Sequence, residues 1–189
     1  MTKIPVEITA RHLHLSQKDL ERLFGKSYEL KVLKKISQPG QFACKETLII
    51  KGPDNSFDDI RVVGPIRKQT QVEISLTEAR FLGIKAPLRL SGNIKKSGQA
   101  VLKGPKGQIR LKEGVIITKR HLHLHTQEAK KLSLKNNQKV SIRVGEERQI
   151  TFHQVIVRAG EMHKKAVHLD TDEANASGLK TCSYGELMT

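Results

Sequence analysis

The chain has eight histidines, and four of them fall in two identical tripeptides, His12-Leu13-His14 and His121-Leu122-His123. On a β-strand, residues i and i+2 point to the same face. Each tripeptide can therefore present two imidazoles to one ion, and imidazole nitrogen is a favoured zinc donor. A single His-x-His is readily satisfied as a hydrogen-bonded surface or core pair. Two copies in matching surroundings point to metal binding instead. The longer match sets Ala10-Arg11-His12-Leu13-His14-Leu15-Ser16 against Lys119-Arg120-His121-Leu122-His123-Leu124-His125, an offset of 109 residues. A repeat of that length describes two related lobes, because solenoid repeats have periods of about 20–50 residues.

Two imidazoles do not complete a zinc site, which takes three or four protein ligands. A local unit that occurs four times supplies candidates for the rest. Each copy is an apolar strand end, a capping residue and an acid three residues on. The caps are Ser16, Ser75, His125 and Asp170, with acids at Asp19, Glu78, Glu128 and Glu173. The cap accepts from free amides of the first helical turn, and the acid can bond back to the cap's own amide. Imidazole is a poorer cap than Ser or Asp, so the His125 copy is the weakest. Gly83 and Gly178 follow two of these helices as stops. The four copies place His12 and His14, Glu73, His121 and His123, and His168 at comparable strand-end positions. One shared site at the junction of two lobes is expected.

Arg67, in Gly64-Pro65-Ile66-Arg67-Lys68-Gln69-Thr70-Gln71, carries a guanidinium that can hold phosphate in a bidentate fork. No Gly-x-Gly-x-x-Gly or phosphate-loop spacing occurs. Cys44 and Cys182 stand outside every repeat and read as packing or exposed thiols, and so small a number makes no disulfide framework. His125, His153 and His163 lack matching partners and read as structural.

The elements that must position these groups are short strands. Residues 47–51, 59–63, 71–75, 88–90, 140–144 and 154–158 alternate or run apolar between turn signals. Residues 100–103 and 108–111 flank Gly104-Pro105-Lys106-Gly107, a hairpin signature. The Lys- and Gly-rich stretch 93–114 reads as a surface hairpin between the lobes. Many short strands with few short helices imply small barrels, which close a sheet without leaving edges.

The formal net charge is +15, most of it before residue 115, which favours anionic partners. Aromatic residues make up only 4% and Trp is absent, which argues against base-stacking platforms and so against a nucleic-acid barrel. No run of 18 apolar residues predicts a membrane helix. The N-terminal residues show no apolar signal core, so a cytoplasmic location is expected.

Together these segments resemble the PduL family of phosphotransacylases. The resemblance rests on residues 10–16, Ser37-Gln38-Pro39-Gly40-Gln41-Phe42-Ala43, residues 64–75, residues 119–123 and His168-Leu169-Asp170-Thr171-Asp172-Glu173-Ala174-Asn175, in family order along nearly the whole chain. It implies a mainly β fold of two interleaved six-stranded β-barrels with short capping helices. Residues 1–10 with 119–189 would form one barrel. Residues 11–118 would form the other, with a connecting segment. It implies transfer of a short acyl group, propanoyl or acetyl, reversibly between coenzyme A and inorganic phosphate, with acyl phosphate as product and two zinc ions per chain. His12, His14 and Glu73 would bind one zinc, whose remaining position takes the coenzyme A sulfur. His121, His123 and His168 would bind the second. Arg67 would contact phosphate, and Lys34, Arg61 and Asn175 would contact coenzyme A. Family members of bacterial microcompartments often carry an N-terminal targeting extension; none is read here, so encapsulation is not expected. His125 stands where the family usually has a hydroxyl residue. No nucleic acid or membrane partner is expected, and a homo-oligomer is compatible with this reading. With no repeat-linked Ser or Cys to carry the acyl group, direct transfer is expected. A two-zinc hydrolase would share the histidines and differ in using water as acceptor.

Overall fold

The computed structural model describes residues 2–180 and 183–188. Cys182 lies outside them. In chain order the elements are β1 (Thr2–Thr9), β2 (His12–His14), α1 (Gln17–Phe24), β3 (Val32–Lys35), β4 (Phe42–Lys51), β5 (Ser56–Gly64), β6 (Gln71–Ile74), α2 (Leu76–Leu82), β7 (Leu88–Arg89), β8 (Gly98–Lys103) and β9 (Gln108–Thr118). They continue as β10 (His121–Leu124), α3 (Thr126–Lys131), β11 (Lys139–Val144), β12 (Ile150–Ala159), β13 (Ala166–Asp170), α4 (Thr171–Ala176) and β14 (Tyr184–Met188).

The chain divides into a continuous unit, Arg11–Thr118, and a split unit, Met1–Ala10 with Lys119–Thr189. In the continuous unit, β4 pairs β5, β5 pairs β2, β2 pairs β6, β6 pairs β9, β9 pairs β8, and β8 returns to β4. That is a closed ring of six strands, with β3 added on β4 and β7 on β9. The split unit closes as β11-β12-β10-β13-β1-β14. Taken in that order, the two rings correspond strand for strand. β2·β6 and β10·β13 are antiparallel, β5·β2 and β12·β10 are parallel, and β6·β9 and β13·β1 are parallel. The mainly β double barrel expected from the sequence is therefore what forms.

The correspondence exposes an exchange. The strand that precedes each His pair, β1 or β9, closes the barrel of the other repeat. Thus β1 runs beside β13, and β9 runs beside β6.

Alternation builds each barrel around its own core. In β1, Ile4 and Val6 are buried while their neighbours are not. Leu13 and Leu15 join Leu48, Ile60 and Val72 in the continuous unit, and Leu122 and Leu124 join Ile4, Ile142 and Val167 in the split unit. Residues 93–114 do contain the expected hairpin, closed by the Gly104 amide on the Gly107 carbonyl, but it is part of the barrel wall and not a surface feature. They supply β8 and the start of β9, two barrel strands, because Ala100, Leu102, Ile109 and Leu111 alternate inward while their lysines face out.

The four helices start at the expected caps. Ser75 with Glu78 and Asp170 with Glu173 make complete capping boxes. Ser16 accepts from the Asp19 amide. His125 also caps, its Nδ1 accepting from the Gln127 amide at 3.2 Å. Gly83 sits at φ 70°, a left-handed conformation in which a side chain would be strained, and stops α2.

Candidate metal centres

The site in each unit grows from one antiparallel strand pair. On β2 and β6 the register sets His12 directly opposite Glu73 and His14 opposite Gln71. On β10 and β13 it sets His121 opposite His168. In both His-Leu-His strands the leucine is fully buried in the barrel, so the flanking histidines share the other face. Two groups result, His12/His14/Glu73 and His121/His123/His168, each with ligand atoms all within 4.8 Å of one another. Either group could hold a metal ion.

The donor chemistry fits a cation. His14 Nδ1 lies 2.8 Å from the Val63 carbonyl, and His121 Nδ1 lies 2.9 Å from the Lys119 carbonyl. A carbonyl only accepts, so each Nδ1 carries a proton, and in the neutral ring Nε2 keeps its lone pair. This is the orientation that metal-ligating histidines adopt. His121 Nε2 and His123 Nε2 stand 3.1 Å apart, which requires a proton or a cation between them. His123 Nδ1 is buried without a hydrogen-bond partner.

Electrostatics keep His14 and His123 neutral, as ligation demands. Burial pushes the pKa of His14 down to about 3, aided by the charges of His12 and Arg67. Burial likewise pushes His123 down to about 2, followed by the effects of His121, His168, His163 and Arg158. For Glu73, burial would raise the carboxyl, but His12, the Thr118 hydroxyl, His14 and the Ser91 hydroxyl together hold it down at about 2. Glu73 is thus an anion inside the protein, facing the paired imidazoles.

Three side chains that the sequence reading did not single out hold that anion. Gln71 Nε2 and the Ser91 hydroxyl donate to Oε1, the latter at 2.7 Å, and the Thr118 hydroxyl donates to Oε2. Ser91 also accepts from Arg67 Nη1 at 3.1 Å, so Arg67 is tied to the same network. In the split unit, Thr9 Oγ1 lies 3.4 Å from His168 Nδ1, and Glu7 Oε2 lies 3.4 Å from His168 Nε2. The His163 ring packs on His123 with centroids 4.2 Å apart. Thr9 and Thr118 each stand three residues before a His pair, so the repeat itself carried a signal for them. Nothing in the sequence marked Ser91 or His163.

The remaining expected site residues lie outside both groups. Lys34 is exposed on β3 and Asn175 is exposed on α4. Arg61 is the β5 neighbour of His12, with its guanidinium donating to the carbonyls of Cys44 and Lys45. Burial raises the Cys44 thiol to about 11, which makes it a poor nucleophile. Among the described residues, no helix is long and apolar enough to cross a membrane.

A duplicated double barrel with a candidate metal group in each unit is the class that fold and site define. The family model for phosphate propanoyltransferase matches residues 5–180. A phosphate propanoyltransferase of Lachnoclostridium phytofermentans is 46% identical over 187 residues, covering 98% of this chain and 86% of the relative. Those of Thermotoga maritima and Clostridioides difficile are 45% and 42% identical, covering 94% and 98% of this chain and 85% and 88% of the relatives. The chain belongs to the phosphate propanoyltransferase family, as the resemblance implied, and is an acyltransferase.

Proposed function

We propose that this chain converts a short-chain acyl-coenzyme A, propanoyl or acetyl, and inorganic phosphate reversibly to acyl phosphate and coenzyme A, with zinc held by both ligand groups. The observation that carries the reading is the pair of three-residue groups, one joining the neutral His14 ring to the anionic Glu73 and the other holding the neutral His123 ring. Zinc, when bound by such groups, lowers the pKa of a nearby thiol and offsets negative charge that grows on oxygen. His12, His14 and Glu73 would hold the ion on the coenzyme A side, and His121, His123 and His168 the ion on the phosphate side. Charge favours this division. Three neutral imidazoles leave a divalent cation with two charges for a phosphate dianion, whereas Glu73 cancels one and leaves a match for a single thiolate.

In the forward direction a phosphate oxygen attacks the thioester carbonyl carbon. The new C–O bond forms, the C–S bond breaks, and sulfur leaves with the electron pair. Arg67 is suited to hold phosphate for this step. Its amide donates to the Leu15 carbonyl at 2.9 Å, which fixes its backbone, and its Nη1 rests on Ser91, which restrains its guanidinium. Lys34, Arg61 and Asn175 are proposed contacts for the anionic body of coenzyme A.

The test supplies propanoyl- or acetyl-coenzyme A with and without phosphate and follows free thiol and acyl phosphate. Thiol release that requires phosphate and matches acyl phosphate formation is expected. Equal release without phosphate would establish a hydrolase instead. Isotope exchange between acyl phosphate and phosphate without coenzyme A should be absent if transfer is direct. His123→Ala should abolish turnover with an unchanged circular dichroism spectrum, and retained turnover would exclude the His121 group from the reaction.

A further inference from the structure

The repeat carries more than its histidines. Written from the threonine, it reads Thr9-Ala10-Arg11-His12-Leu13-His14 and Thr118-Lys119-Arg120-His121-Leu122-His123. The strand exchange divides each copy between the two units. Thr118 belongs to the continuous unit, where it donates to Glu73, while Arg120 and the histidines after it belong to the split unit. Thr9 belongs to the split unit beside His168, while Arg11 and its histidines belong to the continuous unit.

The two arginines repeat one arrangement. Arg11 Nη1 meets Glu78 Oε1 at 3.2 Å, and Glu78 Oε2 accepts from the Ser75 amide at 2.8 Å, two residues after Glu73. Arg120 Nε meets Glu173 Oε1 at 2.8 Å, and Glu173 Oε2 accepts from the Asp170 amide at 3.2 Å, two residues after His168. Each guanidinium also lies over an aromatic ring, Phe57 at 4.5 Å and Phe152 at 5.0 Å. The glutamates are largely shielded, with side chains 12% and 17% exposed, so these pairs are screened less than surface pairs. Each arginine thus ties the start of its His-Leu-His strand to the end of the strand bearing the third ligand.

Resting on the proposed zinc sites, we infer that Thr9, Thr118, Arg11 and Arg120 are positioning residues for metal, and that each copy of the repeat serves both groups. Thr118 orients Glu73 of one group; Arg120, two residues on, holds the register of the other. Outer-layer partners of metal ligands typically contribute about 10–100-fold in affinity.

The crossed dependence gives a test that does not use turnover. His123→Ala retains only the His12 group, and His14→Ala only the His121 group. Zinc affinity is measured in each background by competition with a chromophoric chelator at pH 8, and cobalt(II) absorption reports coordination. In the His123→Ala background, Thr118→Val should weaken zinc by about 10–100-fold and alter the cobalt spectrum, while Arg120→Met leaves both unchanged. In the His14→Ala background the effects should reverse. Thr118→Ser, which keeps the hydroxyl, should restore affinity, which separates orientation from a folding defect. If both variants weaken the same group, or neither weakens any, the inference is overturned. A wild-type chain that takes up no zinc would overturn the proposed function along with it.

Discussion

Replacing Ser91 with alanine isolates one contact in the Glu73 network. The hydroxyl donates to Glu73 Oε1 at 2.7 Å and accepts from Arg67 Nη1 at 3.1 Å and Gln71 Nε2 at 2.9 Å. A hydrogen bond to a charged group contributes about 1.5–3 kcal/mol. If that energy holds the carboxylate in its ligating orientation, its loss should weaken zinc in the His12 group by about ten- to hundredfold, at 1.4 kcal/mol per decade. The His121 group should be untouched. Because Arg67 loses its rest on the same oxygen, KM for phosphate should also rise, while loosely tethered Arg67 still supplies its charge. Zinc competition in the His123→Ala background measures the first effect, and initial rates against phosphate in the otherwise wild-type chain measure the second. An unchanged zinc affinity would refute the reasoning, since it would mean that Thr118 and Gln71 alone fix the carboxylate or that Glu73 is not a ligand.

Zinc removal should lower thermal stability. Ligand at a hundred times Kd contributes about 2.7 kcal/mol per site, so a calorimetric scan with and without chelator should show the loss, and His14→Ala should show only part of it. Burial raises the Glu173 carboxyl from 4.5 to about 7 against the pull of Arg120. The folded chain therefore keeps a proton that the unfolded chain gives up, and this group's stabilisation falls as pH climbs from 4.5 to 7, by up to roughly 3 kcal/mol. The difference between urea midpoints of wild type and Glu173→Gln across pH 5–7 isolates that decline, and parallel profiles would contradict it. Leu122 is fully buried between the two histidines, so Leu122→Ala should cost about 2–5 kcal/mol in denaturant unfolding, with a smaller cost if the cavity collapses.

Local chemistry was legible in the sequence. The His-Leu-His strands and the caps at Ser16, Ser75 and Asp170 depend on spacings of two or three residues, and all form as read. His125 was expected to cap poorly, yet its Nδ1 accepts a first-turn amide while Nε2 approaches Glu161 Oε2 at 3.1 Å. What was not legible arrives from a distance. Ser91 and Thr118 reach Glu73 across 18 and 45 residues, and only the closed ring brings them there. In the hairpin within 93–114 the lysines dominate the composition and mask the alternate burial of Gly98, Ala100 and Leu102 on β8 and of Ile109 and Leu111 on β9. His163 was set aside for want of a partner, and packing on His123 supplied one.

The strand exchange follows from the length of one link. β9 runs parallel to β6 and ends beside Ile74, where β6 passes into α2 at Ser75. β2 begins on the far side of that same exit. A strand of the same repeat placed where β9 lies would have to reach β2 by crossing two strand spacings, about 9.6 Å, and clear the chain entering α2. Only Ala10 and Arg11 separate Thr9 from His12, a span of at most about 11 Å when fully extended. Extended residues cannot also detour around a capped helix start, and Arg11 is held at Glu78 instead. With its own barrel closed to it, β1 takes the equivalent place beside β13, and β9 takes the vacant place beside β6. The short link that fixes Arg11 against its capping box therefore also dictates which barrel receives the threonine before it.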